Sequence, residues 1–146
     1  MTRIVLARHG VPVWPRERYA GSSDIELSDE GRAQAARLGV WAAGAELSEI
    51  WASTLARARE TAEIVAEPAG LPVQFDRRLV ELDFGAAEGL TSEEMRQRFP
   101  VERQAFEIDP AANPLPGGEY PHLAVHRLVE CHGNRRRYSR SGTPRR

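Results

Sequence analysis

Four side chains between positions 8 and 81 have types that suit one chemistry. Arg8 and His9 close a short apolar run at 4–7, Arg57 follows a second such segment, and Glu81 lies beyond a third. Two forked guanidinium groups can grip the oxygens of a phosphoryl group. Transfer of that group passes through a loose transition state with charge spread over its equatorial oxygens, so catalysis is mostly positioning and electrostatics. A neutral imidazole can attack phosphorus directly, and a phosphohistidine divides hydrolysis into two easier steps. The leaving oxygen then needs a proton, which a carboxyl group can give and later recover from attacking water. These roles fall on His9 as nucleophile, Arg8 and Arg57 as phosphate ligands, and Glu81 as proton donor. Singly, each has an ordinary structural explanation: a satisfied strand-end histidine, a solvated arginine in a first helical turn, a surface carboxylate. Only the set has a chemistry.

The elements that must position these groups alternate. Residues 4–7 form a continuous apolar run, as expected of a strand covered on both faces in a parallel sheet. Pro12, Pro15, Gly21 and Ser22-Ser23-Asp24 make 11–27 a loop. Ser28 can cap a helix with Asp29 and Glu30 in its first turn and Ala35, Leu38, Gly39 and Ala42 at helical spacing, running to about residue 43. Residues 49–52 read as a strand. Ser53-Thr54 then cap a helix with Leu55, Ala58, Ala62 and Val65 on one face, stopped by Pro68 and Gly70. That helix start would turn its backbone N–H groups toward the same phosphate. Residues 71–75 read as a third strand, and Thr91-x-x-Glu94 opens a short helix that Pro100 ends. Alternating strands and helices imply an α/β fold, a three-layer sandwich with a mostly parallel central sheet and helices on both faces. Ligands bind such sheets at the carboxyl ends of their strands, where Arg8, His9, Arg57 and Glu81 fall.

Longer stretches around these residues resemble the histidine phosphatase superfamily, the phosphoglycerate mutase-like proteins. Leu6-Ala7-Arg8-His9-Gly10, the stretch from Tyr19 to Ser28, and Gly31-x-x-Gln34-Ala35 are similar to its opening. Ser53-Thr54-Leu55-Ala56-Arg57-Ala58-Arg59-Glu60-Thr61-Ala62 is similar to its second signature, Glu81 to Gly89 to its third, and Pro116-Gly117-Gly118-Glu119 to a fourth. Four signatures in order span residues 4–119. The resemblance implies phosphorylation of His9, phosphate held by Arg8 and Arg57, proton donation by Glu81, and no cofactor or metal. A small phosphatase is the better analogue, since the insert of the longer mutases is absent. The family's Thr and Asn after Arg-His-Gly correspond here to Pro12 and Pro15, which have no side-chain donor for phosphate.

The family also carries a second catalytic histidine, in a His-Gly pair at the end of a later strand. His132-Gly133 matches it superficially, but comes too soon after Glu119 to leave room for a typical helix and strand with their turns. His122 and His126 have the spacing of a helical metal pair without a third ligand, and read as structural. The C-terminal part of the fold is therefore expected to be incomplete, with open apolar sheet edges that favour pairing into a homodimer. A reading-frame shift near Glu119-Tyr120 would account for this, since regrouping the codons possible for 138–146 permits an apolar strand ending in His-His-Gly. The alternative to an enzyme is a non-catalytic phosphate- or partner-binding remnant of the family.

Composition sets the outer limits. The chain has 146 residues, 41% hydrophobic and 28% charged, enough for one modest core and too short for two full domains. One domain is expected over 1–132. All 20 basic residues are arginine, and six of them lie at 133–146 with no acidic residue. That tail is too polar to offset its ordering entropy and is expected to be disordered; nucleic acid is not the expected partner, basic tails being commonly solvated. The expected partner is a small phosphorylated substrate. No apolar run has the roughly 18 residues of a membrane span, and a single cysteine, Cys131, excludes an internal disulfide framework. The expected location is the cytoplasm.

Overall fold

A computed structural model describes residues 3–15 and 17–138. Their contacts gather into two units: Ser23–Phe75 with the N-terminal residues, and Glu17–Ser22 with the chain from Asp76 onward.

In the first unit, Ser28 begins helix α1 (Asp29–Ala43) as expected, its hydroxyl accepting the Gly31 N–H at 3.1 Å, with Asp29 and Glu30 in the first turn. Helix α2 (Ala56–Ala69) packs along α1. The approach is close at Gly39, where a Cβ would come within 2.9 Å of Pro68 Cγ. Of the stripes that helical spacing marks out, Ala35, Gly39, Ala42, Leu55, Ala62 and Val65 are buried and Leu38 and Ala58 half-buried; Ala66 is buried as well. Gly70 ends α2 in the left-handed conformation at φ 65°. Strands β1 (Ile50–Ala52) and β2 (Val73–Phe75) flank α2 in sequence and pair in parallel, Ile50 opposite Val73 and Ala52 opposite Phe75. Strand, helix and parallel strand make a βαβ unit, and the fold class is α/β.

The apolar run at 4–7 departs from expectation. It joins no ladder among the described residues, and Ile4 and Leu6 are 56% and 92% exposed. An apolar tetrad becomes a strand only when a neighbour satisfies its backbone groups, and among the described residues β1 and β2 pair with each other alone.

The second unit is built around Ala87, Met95 and Leu115, all buried, with Tyr19, Phe84, Leu90, Phe99 and Phe106 packed on them. The rings of Tyr19 and Phe84 meet edge to face at 5.4 Å. Tyr19 exchanges backbone hydrogen bonds with this core, its N–H donating to Leu90 O and its carbonyl accepting from Gly89 N. Thr91 and Glu94 form the expected reciprocal capping box at the start of helix α3 (Ser92–Arg98). Pro100 does more than end it: proline is favoured at a first helical position, and here it opens helix α4 (Pro100–Ile108).

Helix α5 (Pro121–Tyr138) runs past residue 132 into the arginine-rich stretch. Arginine is a good helix former, so the shift in composition at 133 is no helix boundary. The rest of the tail expected to be disordered, 139–146, lies outside the described residues. Among the described residues no helix is long and apolar enough to cross a membrane.

Candidate active site

His9 and Arg57 come together in the first unit. Arg57 lies in the first turn of α2, 2% exposed, and its Nε–H donates to His9 Nε2 at 3.2 Å. The other ring nitrogen, Nδ1, is 2.7 Å from the carbonyl of Gly10. Guanidinium can only donate and a carbonyl can only accept. The network therefore assigns the proton to Nδ1 and leaves a lone pair on Nε2, the nitrogen that faces Arg57.

The chain after His9 is fastened from both helices. Gly10 N–H donates to Thr61 Oγ1 at 3.1 Å, and the same hydroxyl donates to the Arg57 carbonyl at 2.7 Å. Val11 N–H donates to Gln34 Oε1, and Val11 O accepts from both the N–H and the hydroxyl of Ser28. Gly10 and Gly31 permit this approach, since a Cβ on Gly10 would come within 2.3 Å of Gly31 O. Pro12 and Leu27 form an antiparallel bridge, and Val13 N–H donates to Glu26 O, so part of the expected loop is paired chain. Arg8, the residue before His9, is exposed.

Arg57 is held as firmly. Its Nη1 donates to Ser23 O at 2.7 Å and its backbone N–H to Ile25 O. The expected Ser53-Thr54 cap of α2 is replaced: Leu55 is the N-cap residue and makes no side-chain cap, while Asp24 Oδ1 accepts the Ala56 N–H at 2.6 Å from a distant part of the sequence. The N–H groups of Ala58 and Arg59 both turn back to Leu55 O. The amides of residues 56–59 are thus bonded within the chain, and Asp24 sets a negative charge at the helix start. Contrary to expectation, the amides at the start of α2 are therefore not left open toward a ligand. Thr61 could be suspected from sequence, standing one helical turn after Arg57; Asp24 has no local signal.

Glu81 belongs to the second unit, after the 3-10 turn Arg77–Leu79, and is exposed between half-buried Val80 and Leu82. Its Oε1 accepts the Leu82 N–H at 2.9 Å. Asp76 caps that turn and pairs with Arg78, whose side-chain hydrogen bonds hold the Asp76 carboxyl far below the usual carboxylate range. Cys131 of α5 is buried with its thiol against Asp76 Oδ2. Arg127, also on α5, grips Glu119 with two hydrogen bonds of 3.0 Å, and these hold the Glu119 carboxyl below its ordinary value. Along α5, Ala124 and Cys131 are buried and Arg127 is half-buried, while Leu123, Val125, Leu128 and Val129 are exposed.

His122 and His126 are exposed residues of α5. His122 stacks obliquely on Tyr120, His126 Nδ1 lies 3.7 Å from Glu130 Oε1, and the pair His132-Gly133 lies within α5 rather than at a strand end. Among the described residues no group of three or more His, Cys, Asp and Glu could hold a metal ion.

Residues 4–140 match the sequence profile of the histidine phosphatase superfamily, branch 1. The chain belongs to that superfamily. The match continues well beyond Glu119, along the whole of α5 and past its end. The histidine phosphatase relatives include a probable phosphoglycerate mutase, GpmB, of Salmonella choleraesuis, 34% identical over 120 residues that are 82% of this chain and 56% of that protein. Among solved structures, a mycobacterial glucosyl-3-phosphoglycerate phosphatase superposes with a TM-score of 0.79 at 31% identity, over 86% of this chain and 59% of the other. YhfR of Bacillus stearothermophilus superposes equally well, TM-score 0.79, at 36% identity over 87% and 63%. The chain thus spans a little over half the length of the relatives it matches.

Proposed function

We propose that the chain hydrolyses small phosphate monoesters through a phosphohistidine on His9, with no metal ion in the reaction. His9 Nε2 attacks phosphorus; the P–N bond forms as the P–O bond to the leaving group breaks. Arg57 and Arg8 neutralise the phosphoryl oxygens, and Glu81 gives its proton to the departing oxygen. The Glu81 carboxylate then takes a proton from water as that water attacks phosphorus, releasing phosphate and restoring the imidazole. The observation that carries this reading is the state of His9. Arg57 and the Gly10 carbonyl leave Nε2 unprotonated and within 3.2 Å of a guanidinium suited to the oxygens of a phosphoryl group bound there. Family membership supports the same chemistry. The partner it requires is a small phosphate ester in the cytoplasm; nucleic acid and a second copy have no part in the bond changes.

Incubation with a radiolabelled aryl phosphate should leave an acid-labile label on His9. His9→Ala should abolish it, and Arg57→Ala should slow its appearance on the order of 10²–10³-fold. Label that persists in His9→Ala refutes the assignment.

A further inference from the structure

Arg127 has a bonding pattern that the reaction as described leaves without a purpose. A guanidinium has five N–H donors, and those of Arg127 make five hydrogen bonds inside the second unit. Nε and Nη2 take the two oxygens of Glu119. Nη1 reaches the carbonyls of Arg78, at 2.8 Å, and Val80, and Nη2 reaches the carbonyl of Glu81 itself at 3.2 Å. Three of the five acceptors are therefore main-chain oxygens of the stretch that delivers the proposed proton donor. Glu119 completes the clamp from the far side of Glu81, its backbone N–H donating to Asp83 O at 2.8 Å. With its donors committed, Arg127 has none left for a substrate oxygen. The Glu81 side chain, by contrast, is exposed and bonds to the next amide in the chain. An exposed carboxyl delivers a proton efficiently only when its main chain is fixed, because a misplacement of about 1 Å can cost a factor of about 10² in rate.

We infer that Arg127, clamped by Glu119, is a positioning residue for proton transfer from Glu81 to the leaving group. The inference rests on the phosphohistidine reading and adds to it a residue that touches neither substrate nor phosphorus. Lysine cannot replace it, being a point charge with three donors and no fork.

The test compares two esters at the His9 phosphorylation step. An alkyl phosphate has a basic leaving oxygen that needs the Glu81 proton; 2,4-dinitrophenyl phosphate expels dinitrophenolate, a stable anion, and does not. Arg127→Lys should slow phosphorylation by the alkyl ester on the order of 10²-fold and change that by the dinitrophenyl ester less than about threefold. Glu119→Gln, which keeps shape and weakens the clamp, should show the same selectivity to a smaller degree and stands in if Arg127→Lys fails to fold. In a Glu81→Gln background the selective loss should vanish, since there is no proton left to position. Equal slowing of both esters, no slowing, or an undiminished effect in Glu81→Gln overturns the positioning role while leaving the phosphohistidine intact. Failure of the unsubstituted chain to label at His9 with either ester overturns both.

Discussion

Thr61→Val is the sharpest probe of how the nucleophile is held. The substitution keeps the branched shape and deletes one hydroxyl, which accepts the Gly10 N–H at 3.1 Å and donates to the Arg57 carbonyl at 2.7 Å. The carbonyl loses least, because a helix supplies it with the amide four residues on. Gly10 is buried and its N–H would face a methyl group, so the cost is that of an unsatisfied buried donor, about 1–3 kcal/mol. The variant should therefore lower the unfolding free energy by that amount, seen as a lower urea midpoint at unchanged slope or a Tm lower by roughly 4 °C per kcal/mol in a chain of this size. Native-state hydrogen exchange gives the site-specific reading: the Gly10 amide should exchange much faster in Thr61→Val and recover in Thr61→Ser. Because Gly10 supplies the carbonyl beside His9 Nδ1, the imidazole resonances should shift in the valine variant and return in the serine one. A valine variant as stable as the unsubstituted chain, with Gly10 still protected, would show that the hydroxyl does not hold this turn, and the account of how His9 is fixed would fail.

Two further outcomes follow from the geometry. Asp24→Ala removes the remote cap of α2 and should cost about 0.5–2 kcal/mol in denaturant, while Asp24→Asn, which keeps an acceptor, should recover most of it; equal losses would mean that charge rather than the hydrogen bond matters. Glu119 and Glu94 are held below their ordinary value of 4.5 by hydrogen bonds to Arg127 and Thr91 respectively. A depressed folded-state value gives stability that is full above the unfolded value and lost as pH falls through the folded one. Unfolding free energy measured against pH should thus decline from about pH 4.5 downward, and Glu119→Gln should weaken the chain at neutral pH while flattening part of that decline; an unchanged acid slope would sink the assignment.

How much of this is legible in the sequence depends on whether a signal is local. The Ser28 cap, the Thr91–Glu94 box, the buried alanine stripes and the stop at Gly70 all arise within a few residues of one another, and each forms where spacing implies it. Asp24 capping Ala56, Thr61 catching Gly10, and Arg127 gripping the carbonyls at 78–81 join parts of the chain far apart in sequence and leave no periodic trace. Residues 4–7 depart from expectation for a related reason: apolar character shows what a segment can bury, while a ladder needs a partner. Pro100 reads as a stop although proline serves equally as a start, and only the helix beyond it decides. Of the proposed site, the pairing of His9 with Arg57 is legible through the order of signatures. The hydrogen bonds that fix the protonated nitrogen are not, since they depend on the turn at Gly10 rather than on residue type.

The path of the polypeptide near its beginning has a consequence for how the molecule is made. Residues 17–22 interrupt the first unit in sequence yet belong to the second, where Tyr19 joins a core of rings contributed by residues 84 to 106. During synthesis this hexapeptide emerges long before Leu90, its backbone partner. The second unit therefore cannot be excised as the uninterrupted stretch after Phe75: a break there would deprive it of an aromatic side chain that packs on its core. Completion of the later core has to wait on a nascent segment kept available while the ribosome moves on, the slow closure expected of contacts with large sequence separation.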